Sequence, residues 1–330
     1  MQLYVRFLKQ GILMFSVLAY FTGCDRGEPE PNISFDIVTG FVISEQGEKF
    51  LATDNGLFIL NEGKGKYEQV QDTECKTVLN DLAFAPAQPQ EDLWLATDAG
   101  AYNWTAQYLV TKENSGLSNN LVTHLYFDHN LTGYFATREG LDILVLSEWT
   151  HTTGLDDFFL DFEITDMGTA TNGYTYVTTL GGGIERFKMD VDGISGATHI
   201  DTDWSWLASN NILTIYIDDT VQAYGTDQGA ALHFSEYTKW DWEVYSTFDG
   251  LINDTVLAIV RDKAKIWWFG TYGGVSRFDE LTWTGFTVET HGLLSNHIKF
   301  MAVDTDGSIW LATDLGLSHL TGNQSINFQK

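Results

Sequence analysis

Eight histidines, at positions 124, 129, 151, 199, 233, 291, 297 and 319, are the side chains best suited to proton transfer or metal binding near neutral pH. No two have the spacing that puts both rings on one metal from a single strand or helix, and no H-E-x-x-H is present. They are read as turn and strand residues. No G-x-S-x-G elbow presents a serine nucleophile; a Ser-His-Asp set assembled from distant segments is neither marked nor forbidden. Asp304-Thr305-Asp306-Gly307 and Asp190-Val191-Asp192-Gly193 look like pieces of a calcium loop. They lack its later ligands and suit a tight hairpin, where Asp tolerates and Gly prefers left-handed dihedrals. Gly181-Gly182-Gly183 has no Lys-Ser/Thr after it, so it is not read as a phosphate loop. No metal or cofactor is expected.

The elements around these residues are strands. The 330 residues include 31 Gly, 11 Trp, 14 Tyr and 21 Phe but 4 Pro, a composition that favours strands and turns over helices. One pattern recurs: apolar residues, then Thr-x-x-Gly. Its threonines are Thr53, Thr97, Thr137, Thr179, Thr226, Thr271 and Thr313, spaced 40 to 47 residues apart. In the last unit, Ile298 to Val303 reads as a strand, Asp304 to Gly307 as a hairpin, and Ile309 to Thr313 as a second strand. Leu317 to Leu320 follows as a third. Aromatic stretches such as Trp149 to Thr152, Trp242 to Tyr245 and Trp283 to Phe286 supply a fourth. Four strands in some 43 residues is the size of a propeller blade. The predicted fold is therefore all-β, a seven-bladed β-propeller with four antiparallel strands per blade over about 37–330. Closure is expected from either Ile33 to Phe35 or Ile326 to Phe328 as the outer strand of blade seven.

Segments between units also recur: Ser115-Gly116-Leu117-Ser118-Asn119-Asn120, Asp249-Gly250-Leu251-Ile252-Asn253 and His291-Gly292-Leu293-Leu294-Ser295-Asn296. Together with Trp-x-x-aromatic, Asp-x-x-Gly-x-Ile-Trp and Thr-x-x-Gly, they resemble the two-component regulator propeller repeat across all seven units. That resemblance implies a signalling or nutrient-sensing context, often glycan sensing. The immunoglobulin-like domain, membrane helix and kinase usual in that family do not follow in this sequence, so any signal would pass through another protein.

Residues 1–23 hold Arg6 and Lys9, then a short apolar run from Gly11 to Phe21. Phe21-Thr22-Gly23-Cys24 resembles the lipobox of bacterial lipoproteins, with Phe21 where an aliphatic residue is usual. The reading is a signal peptide (1–23), a lipidated Cys24 and a flexible tether to 36. Acidic residues after the cysteine resemble a surface-export tag of some Bacteroidetes lipoproteins, whereas an Asp there resembles an inner-membrane retention signal of enterobacteria; both stay open. Cys75 is left as an inert thiol in a strand.

With 18 basic and 45 acidic residues, the net charge of −27 disfavours nucleic acid and anionic lipid as partners. The expected location is the bacterial cell envelope, held at the membrane by the lipid alone. In a repeat scaffold, function is sought where the consensus breaks. Four Thr-x-x-Gly turns carry Asp after Thr; Arg138, Leu180 and Tyr272 replace it in the others. Trp204 and Trp206 stand where other linkers carry Gly-Leu. Arg138, Tyr272, Trp204 and Trp206 are the candidate ligand-binding residues, for an oligosaccharide or a partner protein. The seven turns are expected to share one backbone geometry. Rival readings are a propeller-fold enzyme such as a lyase and a pure interaction scaffold.

Overall fold

The computed structural model describes residues 35–71, 77–86, 91–190, 192–234, 241–322 and 324–330. Cys24, the leader, the tether as far as residue 34, and Cys75 lie outside them; Phe35 and Asp36, read as the end of the tether, belong to the propeller, where Phe35 is buried and Asp54 accepts the Asp36 N–H. The described chain forms seven sheets, each of four antiparallel strands in sequence order. Blade one is built from Val38–Ile43, Lys49–Thr53, Gly56–Asn61 and Lys66–Gln69. The innermost strands of the others are Leu79–Ala85, Val122–Phe127, Glu163–Thr169, Ile212–Ile217, Val256–Arg261 and Phe300–Val303. Helix is confined, among the described residues, to single turns in two linkers, Leu155–Asp161 and Val288–His291.

Alternating strand direction gives the ring two unlike faces. The hairpins between strands one and two, and between three and four, lie on one (the hairpin face). The Thr-x-x-Gly turns and the linkers between blades lie on the other (the linker face).

The core is divided among the blade interfaces. Seven apolar clusters occur among the described residues, each with side chains from two adjacent blades. Trp267, Trp310, Tyr134, Tyr176 and Tyr224 are fully buried there. A buried aromatic or Leu side chain stabilises by roughly 1.5–3 kcal/mol, so no blade is expected to stand without its neighbours.

Ring closure uses side chains and not a shared strand. The outer strand of blade seven is Gln324–Gln329, so of the two expected segments the C-terminal one is used. Phe35 instead packs into the cluster between blades seven and one. There the Tyr67 hydroxyl donates to the Phe328 carbonyl (2.6 Å) and accepts from the Leu317 N–H (2.7 Å). Lys49 of blade one pairs with Asp304 of blade seven at 2.7 Å.

Candidate functional site

The Thr-x-x-Gly turn has a local cause. Each threonine hydroxyl donates to the carbonyl of the closing glycine, as from Thr313 to Gly316 (3.1 Å), and in every blade but the fourth it accepts the N–H two residues on, as from Leu315 (3.1 Å). The glycine is required: at Gly316 φ is +123°, and a Cβ would lie 2.2 Å from the Phe328 carbonyl oxygen. The consensus Asp secures a linker. Asp54 accepts the N–H groups of Asp36 and Ile37, Asp314 that of Val38, Asp98 the Asn80 amide and Asp227 the Asn211 amide. Where Asp is missing the turn side chain is released. Arg138 is exposed, with no hydrogen bond or ion pair from its side chain among the described residues. Leu180 is exposed. Tyr272, half exposed, stacks on His297 with ring centroids 4.4 Å apart; burial keeps His297 below its ordinary pKa.

The expectation of seven equivalent turns fails in blade four. Thr179 closes on Gly183, one residue later than in the other blades, and its hydroxyl donates to that carbonyl (2.9 Å). The extra residue lets Gly181 and Gly183 both donate to the Asn210 carbonyl of the following linker. That linker carries Trp204 and Trp206, 79% and 55% exposed. The four candidate residues are not gathered into one pocket: they sit on blade three, on the linker after blade four, and on blade six.

The structure does assemble a serine, an aspartate and a histidine. The Ser118 N–H and O–H both donate to Asp142 Oδ2 at 2.8 Å, and His151 Nδ1 lies 2.7 Å from Asp142 Oδ1. The carboxylate stands between the other two, so His151 is not placed to take the serine proton. The position is structural, because Ser276 and Ser318 accept the corresponding linker N–H in blades six and seven. Asp304 and Asp190 cap hairpins: Asp304 accepts from Thr305 N–H and from the Trp310 indole (3.1 Å), and Asp190 from Asp192 N–H. No group of three or more metal-ligating side chains occurs among the described residues.

Sequence reasoning passed over the axis. In blades one to six the innermost strand bulges at one register, and the residue after the bulge is Gly40, Asp81, His124, Asp166, Thr214 or Ala258; in blade seven the pairing begins at the equivalent Phe300. Asp81 Oδ2 accepts Leu125 N–H (3.0 Å) and Asp166 Oδ2 accepts Ile215 N–H (2.9 Å), each from the next blade. Burial pushes the Asp81 carboxyl up to about 7 and the Asp166 carboxyl up to about 6, against the backbone donors that favour ionisation. Burial pushes His124, between them in blade order, down to about 4. The strand pattern marks these residues only as inward or outward; the bulge that turns them towards the neighbouring strand is invisible in it.

At the hairpin face, a cavity of about 550 Å³ is lined by residues of blades one, two, five, six and seven. Glu45 and Glu91 stand on one side of its lining set, with Arg261, Lys263 and Lys265 of blade six on the other. Arg261 is committed to Asp218 (3.3 Å) and to the face of Trp267 (4.6 Å), and Lys263 to the Thr305 carbonyl.

Exposed apolar groups divide unequally between the faces. Of 17 exposed large hydrophobic side chains among the described residues, ten lie on the linker face: Ile37, Val78, Leu155, Leu180, Trp204, Trp206, Phe248, Tyr272, Val288 and Leu315. Four lie on the hairpin face (Leu131, Leu146, Phe234 and Leu281) and three on outer strands. Phe248, 99% exposed, went unremarked in the sequence, although it directly precedes an Asp-Gly-Leu linker.

No family model matches the chain, and no curated protein matches it in sequence. Solved structures do share its fold. PorZ, a surface component of the type-IX secretion system of Porphyromonas gingivalis, aligns with a TM-score of 0.64 at 17% identity, over 88% of this chain and 47% of that one. A streptogramin B lyase aligns with a TM-score of 0.62 at 14% identity, over 88% and 95%. The extracellular domain of a protein described as the hybrid two-component system BT4673 of B. thetaiotaomicron aligns with a TM-score of 0.50 at 17% identity, over 88% and 46%. The neighbours thus include extracellular domains of two-component systems, and the chain spans about half the length of those domains. At these identities the likeness shows the fold.

Proposed function

We propose that this chain is a recognition propeller of the bacterial cell envelope, held at the membrane through Cys24, that docks an oligosaccharide or a partner protein on its linker face. The observation that carries this reading is the concentration of exposed aromatic and aliphatic side chains on that face. These side chains are spaced around the face, and their number there, ten against four on the hairpin face among the described residues, is what favours it as the interaction side. The breaks in the repeat lie on the same face, at Arg138, Leu180, Tyr272 and the Trp204–Trp206 linker. The two-component neighbours and PorZ support an extracytoplasmic place in a sensing or surface assembly. The lyase shares the fold but shows nothing of chemistry here, and the Ser118-Asp142-His151 grouping is in the wrong order for a catalytic triad.

Two experiments test the reading. Cys24→Ser should release the protein from the membrane fraction while the leader is still removed; a wild-type chain that fractionates as soluble overturns the anchor. In a glycan-array and pull-down screen, Arg138→Ala and Tyr272→Ala should each weaken the captured ligand about tenfold, the cost of one charge-assisted or aromatic contact. Wild-type binding by both variants would place the site elsewhere.

A further inference from the structure

We infer that the arc of the linker face from blade four to blade seven docks a cationic polypeptide segment carrying apolar side chains. This rests on the recognition reading above and names the chemistry of its partner. Three observations converge.

The first is apolar surface. Leu180, Trp204, Trp206, Phe248, Tyr272 and Leu315 are each at least 42% exposed, and they belong to successive turns and linkers of that arc. They form a sequence of anchor points around the ring and not one sugar-sized platform. An extended chain placing side chains at intervals matches such spacing; a single sugar ring matches one of them.

The second is charge. The segments making up the arc, 180–182, 201–211, 227–228, 246–255, 272–273, 287–299 and 314–315, carry seven carboxylates and one lysine. That lysine, Lys299, is bound to Asp314 at 2.9 Å. The hairpin face offsets some of its charge, Lys49 against Asp304 and Arg261 against Asp218, but its hairpins in blades five to seven also carry Asp219, Asp262, Glu280 and Asp306, so the exposed apolar side chains and not charge single out the arc. The uncompensated negative field of the arc selects a cationic partner and repels a second copy of this acidic chain.

The third is hydrogen-bonding capacity. The arc's asparagines serve its own loops. Asn210 accepts Thr202 N–H (2.9 Å), Asn253 accepts Thr255 N–H (2.9 Å), Asn296 accepts Val288 N–H (2.7 Å), and the Asn211 amide donates to Asp227 (2.7 Å). With those amide oxygens held by the loops, a neutral glycan finds fewer orienting acceptors there besides the carboxylates. A cationic apolar segment needs the charge and the surface, both of which remain.

The test titrates the full-length chain with three synthetic peptides: alternating Lys-Leu, alternating Lys-Ser and alternating Glu-Leu. It compares wild type with a linker-face double variant, Trp204→Ala/Phe248→Ala, and a hairpin-face double variant, Leu146→Ala/Leu281→Ala. Leu146 and Leu281 are 86% and 89% exposed, so both doubles should fold, with circular dichroism as the check. The expected result is that the Lys-Leu peptide binds at least about tenfold tighter than either control, that the linker-face variant loses about tenfold or more, and that the hairpin-face variant binds like wild type. Affinity should also fall with added salt. Equal binding of Lys-Leu and Lys-Ser, or equal loss in both variants, would reduce the effect to attraction by net charge and overturn the inference. Binding of maltoheptaose, but not Lys-Leu, that is lost in the linker-face variant overturns the inference while leaving the recognition reading intact. Peptide and glycan titrations both indifferent to the linker-face variant overturn the two together.

Discussion

The two faces of the ring are made from the same repeat and put their charges to different uses. On the hairpin face, aspartates at the first turn of a blade cap the hairpin, and two of them are also neutralised: Asp304 holds Thr305 N–H, the Trp310 indole and Lys49, and Asp218 holds Thr220 N–H and Arg261. On the linker face the consensus aspartates also secure backbone, but few cations accompany them, and between blades four and seven apolar side chains stand in the open. The difference shows how a repeat fold acquires function. The motif supplies the turn, and a position becomes available for recognition when its side chain is excused from holding that turn. Arg138, Leu180 and Tyr272 are such positions.

This contrast predicts that hairpin-face charges matter to stability and linker-face breaks do not. Asp304→Ala should have the largest effect. It removes the acceptor of a buried indole and one partner of Lys49, whose side chain is 5% exposed, across the closure of the ring. A loss of about 3 kcal/mol is expected from breaking such a pair, read as a lower urea midpoint. Lys49 also pairs with Glu62 at 2.5 Å, and a loss below about 1 kcal/mol would mean that Glu62 alone satisfies it.

The axis, between the faces, should show next through pH. Asp81 and Asp166 have carboxyl pKa values raised by burial, so the folded state holds protons that the unfolded chain releases. Their contribution is present below about pH 4 and is lost as pH rises through about 6 to 7. His124 acts in the opposite sense: its contribution is present above pH 6.5 and is lost as pH falls towards about 4. Asp81→Asn should therefore flatten the fall in melting temperature between pH 4 and pH 7, and His124→Phe should steepen it. An unchanged slope in both would show that the axis is wet enough to leave these groups at their ordinary values.

The smallest effects are expected on the linker face. Arg138→Ala should leave thermal stability unchanged, since its side chain makes no polar contact. Tyr272→Ala should cost about 0.5–1 kcal/mol, the worth of its stack on His297. A larger loss at either position, measured by thermal melt, would turn a proposed recognition residue into a structural one and erase the contrast between the faces.

Much of this was legible in the chain because it is local. A Thr hydroxyl reaching a Gly carbonyl three residues on, an Asp capping its own hairpin, and an aromatic outer strand are satisfied within one blade. Each therefore recurs with the repeat, and seven recurrences specify seven blades. The candidate site was legible only as breaks in that pattern. Arg138, Tyr272, Trp204 and Trp206 are found on the linker face, but nothing in their spacing showed that they would stand apart or that Phe248 would join them.

Tertiary structure decided whatever depends on the next blade. The segment completing blade seven was settled by Tyr67 reaching Phe328 and Leu317 across the closure, a contact between residues more than 200 positions apart. The longer turn of blade four was settled by the Asn210 carbonyl of the following linker, which takes the Gly183 N–H and also the Gly181 N–H, the one that a regular turn gives to its own threonine hydroxyl. The grouping of Ser118, Asp142 and His151, and the carboxylates along the axis, arise because strands brought side by side by the ring place unpaired N–H groups where a neighbour's side chain must answer them. Local hydrogen bonds repeat with the sequence; those made between blades follow from the ring, and they set which side chains are committed and which are free.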